Sequence, residues 1–328
     1  MKQKVLYPLI KIAVVGAAFF WLSRRVDFAG VWRVILEAKR SFLALAVLLC
    51  LVPVLISGLR WRMLLGALGI HLSALRLALI CQIGQFFGVL VPGMAGDDGT
   101  RLLYVSRLAP GRAAQACTTV LLDRFIGFCC LFVLSLVCIP LNWALLSSQS
   151  ASRTVAVAFL IAGTCVVSAC AVLLCLNPSQ FEKLVGLLRN RFPGSKMVGE
   201  WAVAADIFAR NKMVLIRVAL AALTTQLMAC ANYWIVGAAV GIDAPLTLWA
   251  SFVPVIMLAG VLPITFAGIG VRDYLLFLFM GAFPGGGSDS LAALSLLLLG
   301  YALFSALVGG GGYLFYRDKL PPTETLAN

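Results

Sequence analysis

The chain has 328 residues, 62% of them hydrophobic and only 12% charged, against ~25% charged in an average soluble domain. So little polar surface cannot cover a molecule in water, which excludes a soluble globular protein and points to an integral membrane protein. The net charge of +13 does not indicate nucleic acid, because the basic residues flank apolar runs, where membrane topology and anionic headgroups account for them.

Val5–Leu22 is an apolar run behind a basic start, interrupted by Lys11 and followed by no small-residue cleavage site. It reads as an uncleaved first membrane helix. The next stretch, "VDFAGVWRVILEAKR", places Phe28, Val31, Trp32 and Ile35 on one side of a helix, which suits either a membrane-surface helix or a connector packed on the bundle. Phe42–Leu59, Ala113–Pro140, Thr154–Leu176, Met213–Val240 and Leu291–Tyr316 are each long enough to cross a hydrocarbon core that needs ~20 apolar residues. "SQFEKLVGLLRNRF" carries Phe181, Leu184, Val185, Leu188 and Phe192 at helical spacing, with Lys183, Arg189 and Arg191 elsewhere. It predicts a basic amphipathic helix on the membrane surface or packed on the bundle.

Two apolar segments are interrupted. Leu75–Val91 ends in "VPGMAGDDGTR", and Leu246–Met280 is broken by "LPITFAGIGVRD". Backbone that leaves the helix at membrane depth must be buried in protein or line a watery cavity, so both read as re-entrant or discontinuous helices. Pro92, Gly99 and Arg101 recur as Pro263, Gly270 and Arg272, an offset of 171 residues. Interrupted segments in corresponding places of two halves point to a transporter's binding site. The expected fold is an all-α polytopic bundle of about six full spans plus two re-entrant or broken segments, with an inverted repeat suggested. Residues 1–328 are expected to form one transmembrane unit with no soluble domain.

Basic residues concentrate in the segments that share a side with both termini, notably 60–76, 101–112 and 177–212, although five more lie at 23–41 on the other side. This predicts both termini in the cytoplasm of a cell whose plasma membrane, as in bacteria, holds the protein. All ten cysteines lie in or beside apolar stretches, there is no C-x-x-C pair, and His71 is the single histidine. No metal, cofactor or disulfide framework is expected. P-loop, G-x-S-x-G and H-E-x-x-H patterns are absent as well, so the chain is not expected to be an enzyme.

Charges at membrane depth cost roughly 2.5–3.5 kcal/mol each on insertion scales and are functional candidates by default. They are Asp97, Asp98 and Arg101 at the first break, Asp123–Arg124 in "VLLDRFIGF", Arg217, and Arg272–Asp273 at the second break. Helical neighbours point about 100° apart, so Asp123 and Arg124 must find separate partners. Arg124 is expected to meet Asp98 or Asp97, and Asp123 to meet Arg101 or Arg272. One reading makes these buried pairs that fix helix register. The other has Arg101 and Arg272 hold a lipid headgroup phosphate in their planar forks, with Asp98 beside them and backbone amides near Gly96, Gly99 and Gly270 approaching the same anion. Asp97, Asp123, Arg124 and Asp273 then complete the charge network. Arg60 and Arg62 in "GLRWRMLL" read as snorkelling arginines at a helix end, with a headgroup contact as the alternative. Gly309–Gly312 reads as a close-packing stretch.

Taken in order, "LRWRMLL", "VPGMAGDDGTR", "VLLDRFIG" and "LPITFAGIGVRD" resemble the motifs of the lysylphosphatidylglycerol synthase transmembrane region, the flippase-like domain of the multiple peptide resistance factor. Pro92, Gly96, Asp98 and Arg101 match that family's P-x-x-x-G-G-D-x-x-R pattern, and Asp97 stands where its second glycine does. Asp123, Arg124 and Gly127 match D-R-x-x-G, while Asp273 replaces a glutamate. The resemblance implies the lipid-moving half of such proteins without the domain that transfers lysine from lysyl-tRNA. Its expected ligand is a membrane phospholipid or related polar lipid moved between leaflets, not nucleic acid. An intramembrane enzyme for a lipid-linked substrate and an accessory subunit of an envelope-building complex are the alternatives. A homo-oligomer or an envelope-enzyme partner is compatible with either.

Overall fold

A computed structural model describes residues 28–90, 95–147, 149–175, 207, 208, 210–261, 270–281 and 283–316. These residues form eleven helices and no strand. In chain order they are α1 (Phe28–Glu37), α2 (Arg40–Ala67), α3 (Ala74–Leu90), α4 (Ala95–Leu108), α5 (Ala113–Leu141), α6 (Trp143–Leu146), α7 (Ser150–Cys175), α8 (Lys212–Ala239), α9 (Leu246–Val261), α10 (Val271–Met280) and α11 (Ser288–Tyr316). Five of them, α2, α5, α7, α8 and α11, are long and apolar enough to cross a membrane, and the protein is a multi-pass membrane protein. The Val5–Leu22 span and the amphipathic helix at 179–192 lie outside the described residues.

Helix lengths separate spans from half-spans. At a rise of ~1.5 Å per residue, the 28 or 29 residues of α2, α5, α8 and α11 reach about 42 Å, beyond the ~30 Å hydrocarbon core. By the same rise, α3 (17 residues), α4 (14), α9 (16) and α10 (10) reach only about 15–26 Å. Moreover α4 packs back on α3, and α10 on α9. Each interrupted segment is therefore a re-entrant hairpin.

The two hairpins enter from opposite ends of the bundle. α2 runs antiparallel to α8, its first residues tied to the last of α8 by the Lys39 N–H donating to Ala239 O at 3.2 Å. The first hairpin follows the end of α2 and packs with Leu64, Leu65, Val120 and Val218 in one core cluster. The second follows the end of α8 and packs with Ala46, Ile139, Val236 and Leu291 in another. Long helix, two half-helices, long helix thus occurs twice, as α2–α5 and α8–α11, in opposite directions. This is the inverted repeat that the 171-residue echo suggested.

Glycine lets the hairpins sit this close to their neighbours. A Cβ on Gly309 would overlap the Gln82 carbonyl, and one on Gly310 would press on the Phe86 ring at 3.0 Å, so α11 lies directly against α3. Gln82 fixes the contact by donating from Nε2 to Ser305 O at 2.5 Å and to Ser305 Oγ at 2.9 Å. Substituting Gly309→Val is expected to lower stability by about 1–3 kcal/mol, as overpacking does, measured by unfolding in detergent. Gly300→Val, where a Cβ meets nothing within 4 Å, is the matched control expected to stay near wild type.

α1 corrects one expectation. Val31 is buried and Val34 and Ile35 pack on the core beside α11, but Trp32 and Leu36 are more than 60% exposed. Val31 and Trp32 therefore face different ways. The helix is a connector docked on the bundle, with Trp32 turned outward.

Candidate functional site

The first break brings six charges together from three elements. Asp97, Asp98 and Arg101 come from the start of α4, Asp123 and Arg124 from α5, and Arg60 from α2. Arg60 donates from Nε and Nη2 to the two oxygens of Asp123 at 2.6 and 2.8 Å, and from Nη1 to Thr225 Oγ1 at 3.3 Å. Arg101 donates to Asp97 at 2.9 and 3.3 Å, while its Nη1 lies 3.7 Å from Asp123. Arg124 donates to Asp98 at 2.6 Å and also to Asp97. Three guanidiniums thus face three carboxylates.

The network is sealed at one edge and open at the other. The Arg60, Asp123 and Arg101 side chains are 8%, 2% and 7% exposed, whereas those of Arg124 and Asp98 are 21% and 24% exposed. Asp97 sits between these edges, where Arg101 and Arg124 both reach it. Small residues make its place: a Cβ on Gly84 would overlap Asp97 Oδ1, and one on Gly88 would touch Asp97 Cβ at 3.4 Å. Gly96 packs on the Phe87–Gly88 backbone so closely that it admits no Cβ either.

The second break carries a smaller site. Gly270, at φ +94°, caps α10, a backbone conformation open to glycine and strained for other residues. Asp273 accepts the Gly270 N–H at 3.0 Å, closing the first turn. Arg272 donates to Asp273 at 3.2 Å and to the carbonyl and hydroxyl of Ser295 on α11 at 3.1 and 3.0 Å. Ser295 also donates to Asp273. Arg272 and Asp273 are 8% and 6% exposed.

Several expectations meet the structure here. Arg124 pairs with both Asp97 and Asp98, and Asp123 lies beside Arg101. Arg272 does not reach Asp123, because the two hairpins occupy opposite ends. Its partners are its own neighbour and Ser295, and the offset of 171 residues that maps Arg101 onto Arg272 maps Arg124 onto Ser295. Gly99 lies mid-helix on the exposed side of α4, where a Cβ would meet nothing, so it is not the counterpart of the Gly270 cap. Its amide falls inside the helix rather than at the free end.

Arg60 is the residue sequence reasoning misplaced. It is 7% exposed and paired, not snorkelling, whereas Arg62, two residues along, is exposed. Trp61 is buried with it, donating from Nε1 to Thr119 Oγ1 at 2.9 Å. The available signal was charge balance: Asp97, Asp98 and Asp123 needed a third cation beside Arg101 and Arg124.

The sequence model described as the lysylphosphatidylglycerol synthase TM region matches residues 9–310, which include both hairpins and every charge in the two sites. Among curated proteins, none matches the chain.

Proposed function

The chain belongs to the lysylphosphatidylglycerol synthase TM region family, and on that premise we propose that it carries a phospholipid or related polar lipid between leaflets. It is a membrane protein of a lipid-handling family. The finer reading rests chiefly on one observation: a charge-balanced network of three arginines and three aspartates at a re-entrant tip, sealed inward and open outward.

In this reading the headgroup enters at the Arg124–Asp98 edge. Its phosphate takes the place of the Asp97 carboxylate between Arg101 and Arg124, whose planar forks suit phosphate oxygens, while the acyl tails stay in the bilayer. Displaced from both arginines, Asp97 balances the site again when the lipid leaves, or takes up a proton while it is bound. At the other end, Arg272 with Ser295 offers the headgroup a second cation, reached from the opposite face. The chain performs no bond chemistry of its own in this scheme, and it works in a plasma membrane with both termini in the cytoplasm.

The test is leaflet accessibility of headgroup-labelled phospholipids in liposomes holding the purified protein. An Arg101→Ala, Arg272→Ala variant that reconstitutes normally is expected to lose roughly tenfold in rate, the order of one charge-assisted hydrogen bond. Equal rates for wild type and variant across a range of headgroups would overturn the reading.

A further inference from the structure

Arg60, Arg101, Arg124 and Arg272 are each matched by an aspartate. Arg76, in the first turn of α3, and Arg107, in the last turn of α4, pair with no carboxylate among the described residues. Because α4 folds back along α3, both lie at the same end of the bundle, where α11 also terminates.

Their surroundings contain donors instead. Arg76 donates from Nε to the Tyr316 hydroxyl, and its guanidinium lies 5.6 Å from the centre of that ring. Tyr316 stacks on Tyr104 with ring centres 6.0 Å apart and planes at 19°. Tyr104 is 2% exposed and its hydroxyl has no hydrogen-bond partner among the described residues; Arg107 Nε, one turn along the same helix, is also buried and without a partner among them. Tyr313 and Arg107 both lie within electrostatic reach of the Tyr104 phenol. A buried polar group left unpaired costs about 1–3 kcal/mol, and this cluster holds two. Two guanidiniums and three phenols, with no carboxylate among the described residues, complement an anion rich in acceptor oxygens.

The flanking surface selects the source of that anion. Leu75, beside Arg76, is 74% exposed, and Leu314 and Phe315, beside Tyr316, are 64% and 84% exposed. A soluble ion gains nothing from these side chains, whereas acyl chains cover them. Arginine heads over an apolar rim also match the depth of lipid phosphates at a helix end.

We propose that Arg76, Tyr104, Arg107 and Tyr316 form a binding site for the phosphate of an anionic phospholipid, held at this end of the bundle and separate from the six-charge network. The full chain in detergent is titrated with phosphatidylglycerol, phosphatidylcholine and inorganic phosphate, and retained lipids are counted by native mass spectrometry. Phosphatidylglycerol is expected to bind, and phosphatidylcholine and inorganic phosphate to bind at least tenfold more weakly, the order of one charge-assisted hydrogen bond. Arg76→Gln with Arg107→Gln is expected to remove one retained phosphatidylglycerol, and Tyr104→Phe, which keeps the ring stack, to weaken it roughly tenfold. Retention in the Arg101→Ala, Arg272→Ala variant assigns that lipid to this site. Unchanged binding in Tyr104→Phe and in the double glutamine variant overturns the proposal. So does inorganic phosphate or phosphatidylcholine binding as tightly as phosphatidylglycerol, which would mark a soluble-anion site or an unselective lipid belt. Should the glutamine variant not fold, Tyr104→Phe alone decides.

Discussion

Asp123→Asn is expected to destabilise the protein by roughly 3–5 kcal/mol, the usual result of removing one partner from a buried ion pair. Asp123 is 2% exposed and accepts both forks of the Arg60 guanidinium, with Arg101 Nη1 a further 3.7 Å away. Neutralising it leaves the buried Arg60 charge facing only neutral acceptors, the new amide oxygen and Thr225, and strips Arg101 of its second carboxylate. Three elements then lose their common tie, since Arg60 is on α2, Asp123 on α5 and Arg101 on the re-entrant α4. Unfolding in detergent, followed by helical signal, measures the loss. The charge rather than the shape is at issue, so replacing both partners, Arg60→Met with Asp123→Leu, is expected to recover most of the stability. Buried pairs exchanged for apolar groups of similar volume are often neutral or better. An Asp123→Asn protein within about 1 kcal/mol of wild type would mean that the pair does not hold these helices.

Asp97→Gly is expected to shift the site proposed above toward anionic headgroups. As built, the network balances three positive against three negative charges, and Asp97 occupies the seat that Arg101 and Arg124 share. An anionic headgroup must displace it and leave a carboxylate unpaired in a buried place. Glycine, the residue of the family pattern at this position, opens the seat and leaves one unit of positive charge there. It also sits without strain beside Gly84 and Gly88, whose missing side chains make room for the aspartate. Both lipids carry a phosphate, so the added unit of positive charge discriminates by repelling the choline cation, and the preference for phosphatidylglycerol over phosphatidylcholine should rise by roughly tenfold, the order of one charge-assisted hydrogen bond. Competition between the two lipids in native mass spectrometry reads the ratio directly. A preference that stays at the wild-type value would remove Asp97 from the selectivity of the site.

The charge network shows how far one-dimensional reasoning reaches. Arg124 was assignable to Asp97 and Asp98 because helical neighbours diverge, which denied it Asp123 and left those two as acids near a break. Arg60 escaped the same reasoning because its segment looks like any helix end with basic residues. Only the choice of which face of α2 packs toward α5 decides that Arg60 turns inward while Arg62 turns out. The echo between the breaks was visible in Pro92, Gly99 and Arg101 against their counterparts, yet Gly99 and Gly270 do different work. α4 begins before Gly99, whereas α10 begins just after Gly270.

The sequence by itself determined that this is a helical membrane protein, where its long spans fall and where two of its segments are interrupted. Those follow from composition and length, because a backbone in lipid must satisfy its own hydrogen bonds within each helix, and ~20 apolar residues suffice to cross. Which charge meets which was decided by tertiary structure alone. A buried arginine takes whichever carboxylate the packing of other helices carries to it. The opposite entry of the two hairpins separates Arg272 from Asp123 and gives it Asp273 and Ser295 instead.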